Sequence, residues 1–360
     1  MNELKLKSIE LLKKLIQTES FSTKEDKTAE LIQKWFKKND IVSNKFNNNI
    51  YAFNKYHDSK KPYILLNSHH DTVRPNSGYT LNPFDSIIKD KKLFGLGSND
   101  AGGALVSLMA VFLHYYNKKN LKYNLIILAS AEEESSGDNG IASVIPKLPK
   151  ISLAIIGEPT LMKMAVAERG LIVYDLKVNG TASHAAHKNN DNPIIKSINI
   201  LKWINDLSFD KESTFLGKVK TTVTQINAGD QHNVVPSNLT MVLDVRVNDC
   251  YTNKEINDYI VKNSPCYIKA RSLNLNSSSI DSDHEIVLAA NKLNIEKYGS
   301  PTLSDQSKIS FPSIKIGPGD SKRSHTADEF IYVKEIEEAI PKYIKLLNEL
   351  LQKNDYETLE

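Results

Sequence analysis

The chain has 360 residues, with 46 Lys and Arg against 43 Asp and Glu, for a formal charge of +3. Hydrophobic residues make up 40% and charged residues 25%, which fits a globular protein and excludes a disordered one. A charge this even leaves no basic footprint for nucleic acid, and no stretch of about 18 apolar residues offers a membrane span.

The N-terminal MNELKLKSIELLKKLIQ is an amphipathic helix pattern without the apolar core of a signal peptide. The two cysteines, Cys250 and Cys266, form no CxxC pair, which points to a reducing compartment and a cytoplasmic protein. Helical spacing covers 3–17 and 25–38. Then Tyr63–Val73, Asn124–Ser130 and Leu153–Gly157 read as buried strands, with an apolar helix over Gly102–Tyr116. Strands separated by helices predict an α/β domain with a largely parallel sheet. From Leu171 the pattern alternates, as in a sheet with one wet face. Strands at 171–178, 219–227, 239–247 and 266–273 interleave with helices at 193–206 and 253–263. That β-α-β-β-α-β order predicts a ferredoxin-like α+β insertion. A polar stretch at 274–283 leads back to a helix at 284–298, a strand at 313–316 and a helix at 333–352. The expected division is 1–169 with 280–360 as one domain and 170–279 as the inserted one.

Five segments carry candidate chemistry, each at a strand end or a glycine turn, where sites form in open α/β sheets. Ser68-His69-His70-Asp71 ends a buried strand. Side chains alternate along a strand, so His69 and Asp71 share a face, which suits an imidazole ligand and its orienting acceptor. The plain alternative is a solvated His. Gly95-Leu96-Gly97-Ser98-Asn99-Asp100 opens a helix without a GxGxxG or a phosphate lysine, so Asp100 is either a helix cap or a ligand on a tight turn. Glu132-Glu133-Glu134 follows a buried strand. Adjacent acids repel, a cation relieves that, and neighbouring glutamates can divide ligation and base work; otherwise they form a solvated turn. Gly157-Glu158 and Ser324-His325 complete the set. A nitrogen and oxygen ligand set without thiolate suits two zinc-like ions sharing a carboxylate.

Taken in order, these motifs resemble the co-catalytic zinc amidohydrolases, which include acetylornithine deacetylase, succinyl-diaminopimelate desuccinylase, aminoacylase and the glutamate-releasing carboxypeptidases. The resemblance runs over nearly the whole chain. It implies a zinc-peptidase-like catalytic domain with an inserted lid and dimerisation domain. It implies metal ligands His69, Asp100, Glu134, Glu158 and His325, with Asp100 bridging, Asp71 orienting His69, and Glu133 as general base. The metals are two divalent ions, zinc or alternatively cobalt. A cis peptide bond is implied at Asp100–Ala101.

In the insertion, Gly180-Thr181-Ala182-Ser183-His184 resembles the lid motif whose His reaches the partner subunit's site. Asn233 and Arg246 resemble its substrate-binding elements, the Arg fork matching a carboxylate. An exposed loop His and a salt-bridged surface Arg are the plain alternatives. The implied protein is a homodimer acting on a small N-acyl amino acid, without a nucleic-acid or membrane partner. Arg74-Pro75, Ala131-Glu132-Glu133-Glu134 and Gly317-Pro318-Gly319-Asp320 look most like the acetylornithine deacetylase branch. The expected reaction is therefore hydrolysis of N-acetylornithine, or of the acetyl or succinyl analogue of ornithine or citrulline, in arginine biosynthesis. The alternative within the family is an acetyl-lysine or succinyl-diaminopimelate deacylase, or a dipeptidase.

Overall fold

The computed structural model describes residues 1–352. Two compact units emerge. One comprises Met1–Val166, Ile280–Tyr298 and the chain from Ser304; the other comprises Ala167–Ser279 with Gly299–Leu303. Residues 299–303, read from the sequence as part of the first domain, thus group with the second.

The first unit opens with helices α1 (Asn2–Ile16) and α2 (Asp26–Lys38) and strands β1 (Asn44–Phe46), β2 (Asn49–Phe53) and β3 (Tyr63–His69). Helix α3 (Gly103–Tyr115) and strands β4 (Asn124–Ser130), β5 (Ile151–Ile156) and β6 (Met164–Glu168) follow. The second unit contributes β7 (Gly170–Asn179), β8 (Ser183–His184), α4 (Pro193–Asp206), β9 (Lys220–Asn227), β10 (Val234–Val235), β11 (Asn238–Val247), α5 (Asn253–Asn263) and β12 (Tyr267–Ala270). The chain returns to the first unit through α6 (Glu285–Lys292), β13 (Ser313–Lys315) and α7 (Val333–Leu351).

The main sheet runs β1-β2-β4-β3-β5-β13-β6. The pairs β4/β3, β3/β5 and β5/β13 are parallel. Strands β3 and β4 are buried at every position, as their unbroken apolar runs require when both faces are covered. Helix α3 is buried from Gly103 through Phe112, all around its girth, so it lies inside the unit. The Tyr115 hydroxyl ties α3 to α7 by donating to the Ile344 carbonyl at 3.0 Å and Asn348 Oδ1 at 2.7 Å. This core fixes the carboxyl ends of β3, β4 and β5, where the candidate residues stand.

The second unit has a wholly antiparallel sheet in the order β9-β11-β7-β12, with its own apolar core on one face. Numbered by position within the unit, that order is 2-3-1-4, the ferredoxin-like arrangement.

Two expectations need correction. The helix read over 284–298 stops at Lys292, because Asn294 turns left-handed (φ 54°) and Lys297–Ser300 is extended. The strand read over 63–73 ends at His69. Asp71 therefore lies beyond the pleat that was invoked to place it.

Candidate metal centre

His69 is 1% exposed at the end of β3. Its Nδ1 lies 3.0 Å from the Asp71 carbonyl and 3.4 Å from Asp71 Oδ1. The contact expected from strand alternation is thus made by the turn after the strand. His70 turns the other way, with Nδ1 at 2.9 Å from Thr28 Oγ1 and Nε2 at 2.9 Å from the Asn48 carbonyl. Burial lowers His70 to about 4, which leaves it neutral and outside the site.

His69 Nε2 faces Asp100 Oδ1 at 3.4 Å, Glu158 Oε1 at 3.9 Å and Glu133 Oε2 at 4.0 Å. The other Asp100 oxygen, Oδ2, faces His325 Nε2 at 3.7 Å, and Glu134 Oε2 lies 3.0 Å from that same nitrogen. Ligand atoms of His69, Asp100 and Glu134 fall within 4.8 Å of one another. One carboxylate thus offers an oxygen to each of two imidazoles. That is the arrangement a bridge between two cations needs.

The local backbone explains how these groups are presented. Gly97 is left-handed (φ 74°), and a Cβ there would meet Thr72 Cγ2 at 2.6 Å. The turn therefore has to be glycine before it can swing Asp100 inward. The Asp100–Ala101 bond is cis, as the resemblance implied. Asp71 uses its second role here: Oδ1 and Oδ2 accept the N–H groups of Glu133 and Glu134, each at 3.1 Å. Glu132 is left-handed (φ 55°) and its carboxylate accepts from Asn139 N and Nδ2 at 3.0 and 3.1 Å. Hence Glu132 faces away while Glu133 and Glu134 face the imidazoles, the register chosen from the sequence.

The electrostatics describe a site short of positive charge. Burial opposes the His69 imidazolium, yet Asp100 and Asp71, with Glu133 and Glu158 behind them, raise it well above the usual range. Burial is the main cause lifting Glu133 well above a normal glutamate and Glu158 to about 8. Glu134 lifts His325 to about 9. The raised glutamates and imidazoles are those a bound cation would shift back down, by supplying the positive charge that protons otherwise supply.

One residue at the centre was given no role by sequence reading. Glu329 is 2% exposed; its Oε1 accepts from Asn99 N at 2.8 Å and Asp100 N at 2.9 Å, and its Oε2 from Gly97 N at 3.0 Å. It clamps the turn that presents Asp100. The signal was its place four residues after His325. Burial opposes the ionised form of Asp100; His69 favours it most, and a hydrogen bond from the Ser324 hydroxyl adds to that.

In the second unit, the β8/β10 ladder pairs His184 with Val234, and Ala185 N–H donates to the Asn233 carbonyl at 2.9 Å. His184 and Asn233 are therefore neighbours. His184 Nδ1 accepts from Ala186 N at 3.1 Å, which leaves the ring proton of the neutral form on Nε2. Arg246 is different. Its Nε and Nη2 sit on Asp244 Oδ1 and Oδ2 at 2.8 and 3.0 Å, so its fork already grips a carboxylate of its own strand.

Residues 65–353 match the model of peptidase family M20/M25/M40. The chain belongs to that family and is a metal-dependent hydrolase. Among curated proteins it is 27% identical over 324 residues to succinyl-diaminopimelate desuccinylase of Helicobacter pylori strain Shi470, covering 82% of this chain and 83% of that one. It is 29% identical over 283 residues to the protein of that name from Buchnera aphidicola subsp. Cinara cedri, covering 71% and 74%. The M20 metallo-carboxypeptidase Sso-CP2 of Sulfolobus solfataricus superposes with a TM-score of 0.74 at 17% identity, covering 95% of this chain and 98% of that one. YXEP of Bacillus subtilis, described as a dinuclear metal binding peptidase, gives 0.71 at 15%, covering 96% and 98%. These last two likenesses are of fold.

Proposed function

We propose that the protein hydrolyses the N-acyl amide of a small amino acid at a two-cation centre, and that the acyl amino acid is an N-succinylated diamino acid. The observation that carries the two-cation reading is Asp100, with one oxygen toward His69 and the other toward His325. His69 and Glu158 would hold one divalent ion, Glu134 and His325 the other, and Asp100 both. Bound ions would supply Lewis acidity and lower the pKa of water. The donor set, imidazole and carboxylate without thiolate, suits zinc.

Glu133 sits with Oε2 at 4.0 Å from His69 Nε2 and ligates neither imidazole's ion in this scheme, so it is the free base. Its carboxylate takes the proton of the attacking water and returns it to the leaving amine nitrogen. Asp71 holds His69 by Nδ1 and keeps Nε2 toward the cation. The Nε2–H of His184 is the donor we assign to the developing oxyanion. We assign Asn233 and Arg246 to the substrate's polar groups, with Arg246 sharing or leaving Asp244 when a carboxylate arrives.

The substrate reading differs from the acetylornithine reading drawn from the motifs. It is supported by the curated relatives, which carry the name succinyl-diaminopimelate desuccinylase over most of both lengths. The test is a zinc-loaded panel of N-succinyl-diaminopimelate, N-acetylornithine, N-acetyl-lysine and a dipeptide. Fastest turnover of the succinyl amide is expected. Preference for acetylornithine or the dipeptide would overturn the substrate, and no turnover with two ions bound would overturn the hydrolase chemistry.

A homodimer formed through the second unit is part of this reading. Helix α4 leaves Ile195 62% and Ile198 60% exposed, with Ile194 and Leu201 beside them. Strand β9 is an open edge of its sheet. An apolar helix face and an unpaired strand edge in one small unit suit a second copy.

A further inference from the structure

Behind the candidate centre lies a carboxylate that the scheme above does not use. Asp305 opens the 3-10 turn Asp305–Lys308 and is 4% exposed. Its Oδ2 accepts from Asn67 Nδ2 at 2.7 Å and from Ser130 Oγ at 2.6 Å. Taking a carboxylate out of water is costly when its donors are neutral, and an apolar side chain would fill the space more cheaply. Its value therefore lies in what it holds.

Both donors stand where the strands end. Asn67 is two residues before His69 on β3, and its carbonyl accepts the N–H of Gly157, next to Glu158, at 2.7 Å. Ser130 closes β4 in register with His69, and its carbonyl accepts the N–H of His70 at 3.0 Å. From the same turn, Lys308 Nζ donates to the Ser136 carbonyl at 3.1 Å, across the loop from Glu133 and Glu134. One four-residue turn thus grips the stretches that carry His69 and the Glu133–Glu134 pair, and reaches the Glu158 stretch through Asn67.

We propose that Asp305 is a positioning residue for the dimetal centre, fixing the ends of β3 and β4 through Asn67 and Ser130 so that ligands on three strands meet the same pair of ions. The proposal rests on the two-cation reading above. Asp305→Asn keeps the shape and removes the charge. Zinc affinity would be measured by competition with a chromophoric chelator, ligand geometry by the visible spectrum of the cobalt form, and folding by the melt of the metal-free chain. The expected result is about 10–100-fold weaker zinc binding with a shifted cobalt spectrum. Ser130→Ala, which removes one contact and no charge, should move both readouts the same way by less, and it serves alone if Asp305→Asn does not fold. Unchanged affinity and spectrum in these variants would overturn the proposal, whatever happens to the melt. A wild-type chain that binds no divalent ion would sink the two-cation reading, and this inference with it.

Discussion

Asp71→Asn is the sharpest perturbation of this architecture, because a single buried carboxylate serves two ligand-bearing segments. Its two oxygens accept the amides of Glu133 and Glu134 at 3.1 Å each, and Oδ1 also faces His69 Nδ1 at 3.4 Å. Asparagine keeps one acceptor oxygen. Its NH₂ group must then face an N–H donor, either a backbone amide or the imidazole. A lost hydrogen bond to a charged acceptor is worth about 1.5–3 kcal/mol, and a buried donor left without an acceptor costs about 1–3 kcal/mol more. Partial relaxation of the turn brings the expected loss to about 2–4 kcal/mol, read as a lower urea midpoint of the metal-free chain with unchanged slope. Metal binding should weaken about 10–100-fold, because neither His69 nor the glutamate turn is held any longer. If zinc affinity is unchanged and the midpoint moves by less than about 0.5 kcal/mol equivalent, Asp71 does not join the two segments and the argument fails.

Glu133→Gln should bind two zinc ions with near-native affinity while kcat falls about 10²–10⁴-fold; retained turnover would exclude it as the base. His184→Ala should lower kcat about 10²–10³-fold with the metal content untouched; a change confined to KM would place it in substrate binding instead. On the homodimer reading, the wild-type chain should sediment as a dimer and Ile195→Glu with Ile198→Glu should turn it into a monomer; an unshifted coefficient would clear α4 of that role. The metal-free chain should lose stability as pH rises. Glu158 moves from 4.5 to about 8 on folding and His325 from 6.5 to about 9, so the folded chain holds protons that the unfolded chain has released. Stability present below about 4.5 is then lost up to about 9. Zinc should flatten this slope, and identical melts with and without chelator across that range would refute it.

Much of this was legible in the sequence for a physical reason. Parallel strands buried on both faces must be unbroken apolar runs, and the acids and histidines at their ends contrast sharply with them. His69, Glu133, Glu134 and Glu158 were each found at such a break, Asp100 and His325 after glycine turns, and the structure brings all six together. Glu329 and Asp305 were not found because each acts by accepting hydrogen bonds, one from backbone amides and one from Asn67 and Ser130. Nothing in residue type announces an acceptor's partner across more than 170 positions. For Arg246 the sequence left a substrate carboxylate and a surface salt bridge both open, because spacing does not say that Asp244, two positions back on the strand, will fill its fork. The helix read over 284–298 kept its apolar spacing past Lys292, while the left-handed turn at Asn294 is a local helix stop, closed by the Ile295 N–H on the Ala290 carbonyl at 2.9 Å, that apolar spacing alone does not show.

The split of the first unit around the second has a consequence for how the protein is made. A ribosome delivers His69, Asp100, Glu134 and Glu158 before the inserted unit, and His325 and Glu329 only after it. Until that last stretch emerges, Asn67 and Ser130 at the ends of β3 and β4 also lack Asp305. The acids meant for the other half have no imidazole, and the Asp100 turn has no clamp. On the two-cation reading, full loading with metal therefore waits for the end of synthesis. On the two-cation reading, a chain cleaved within the second unit would lack Asp305, His325 and Glu329 together and could not complete the centre.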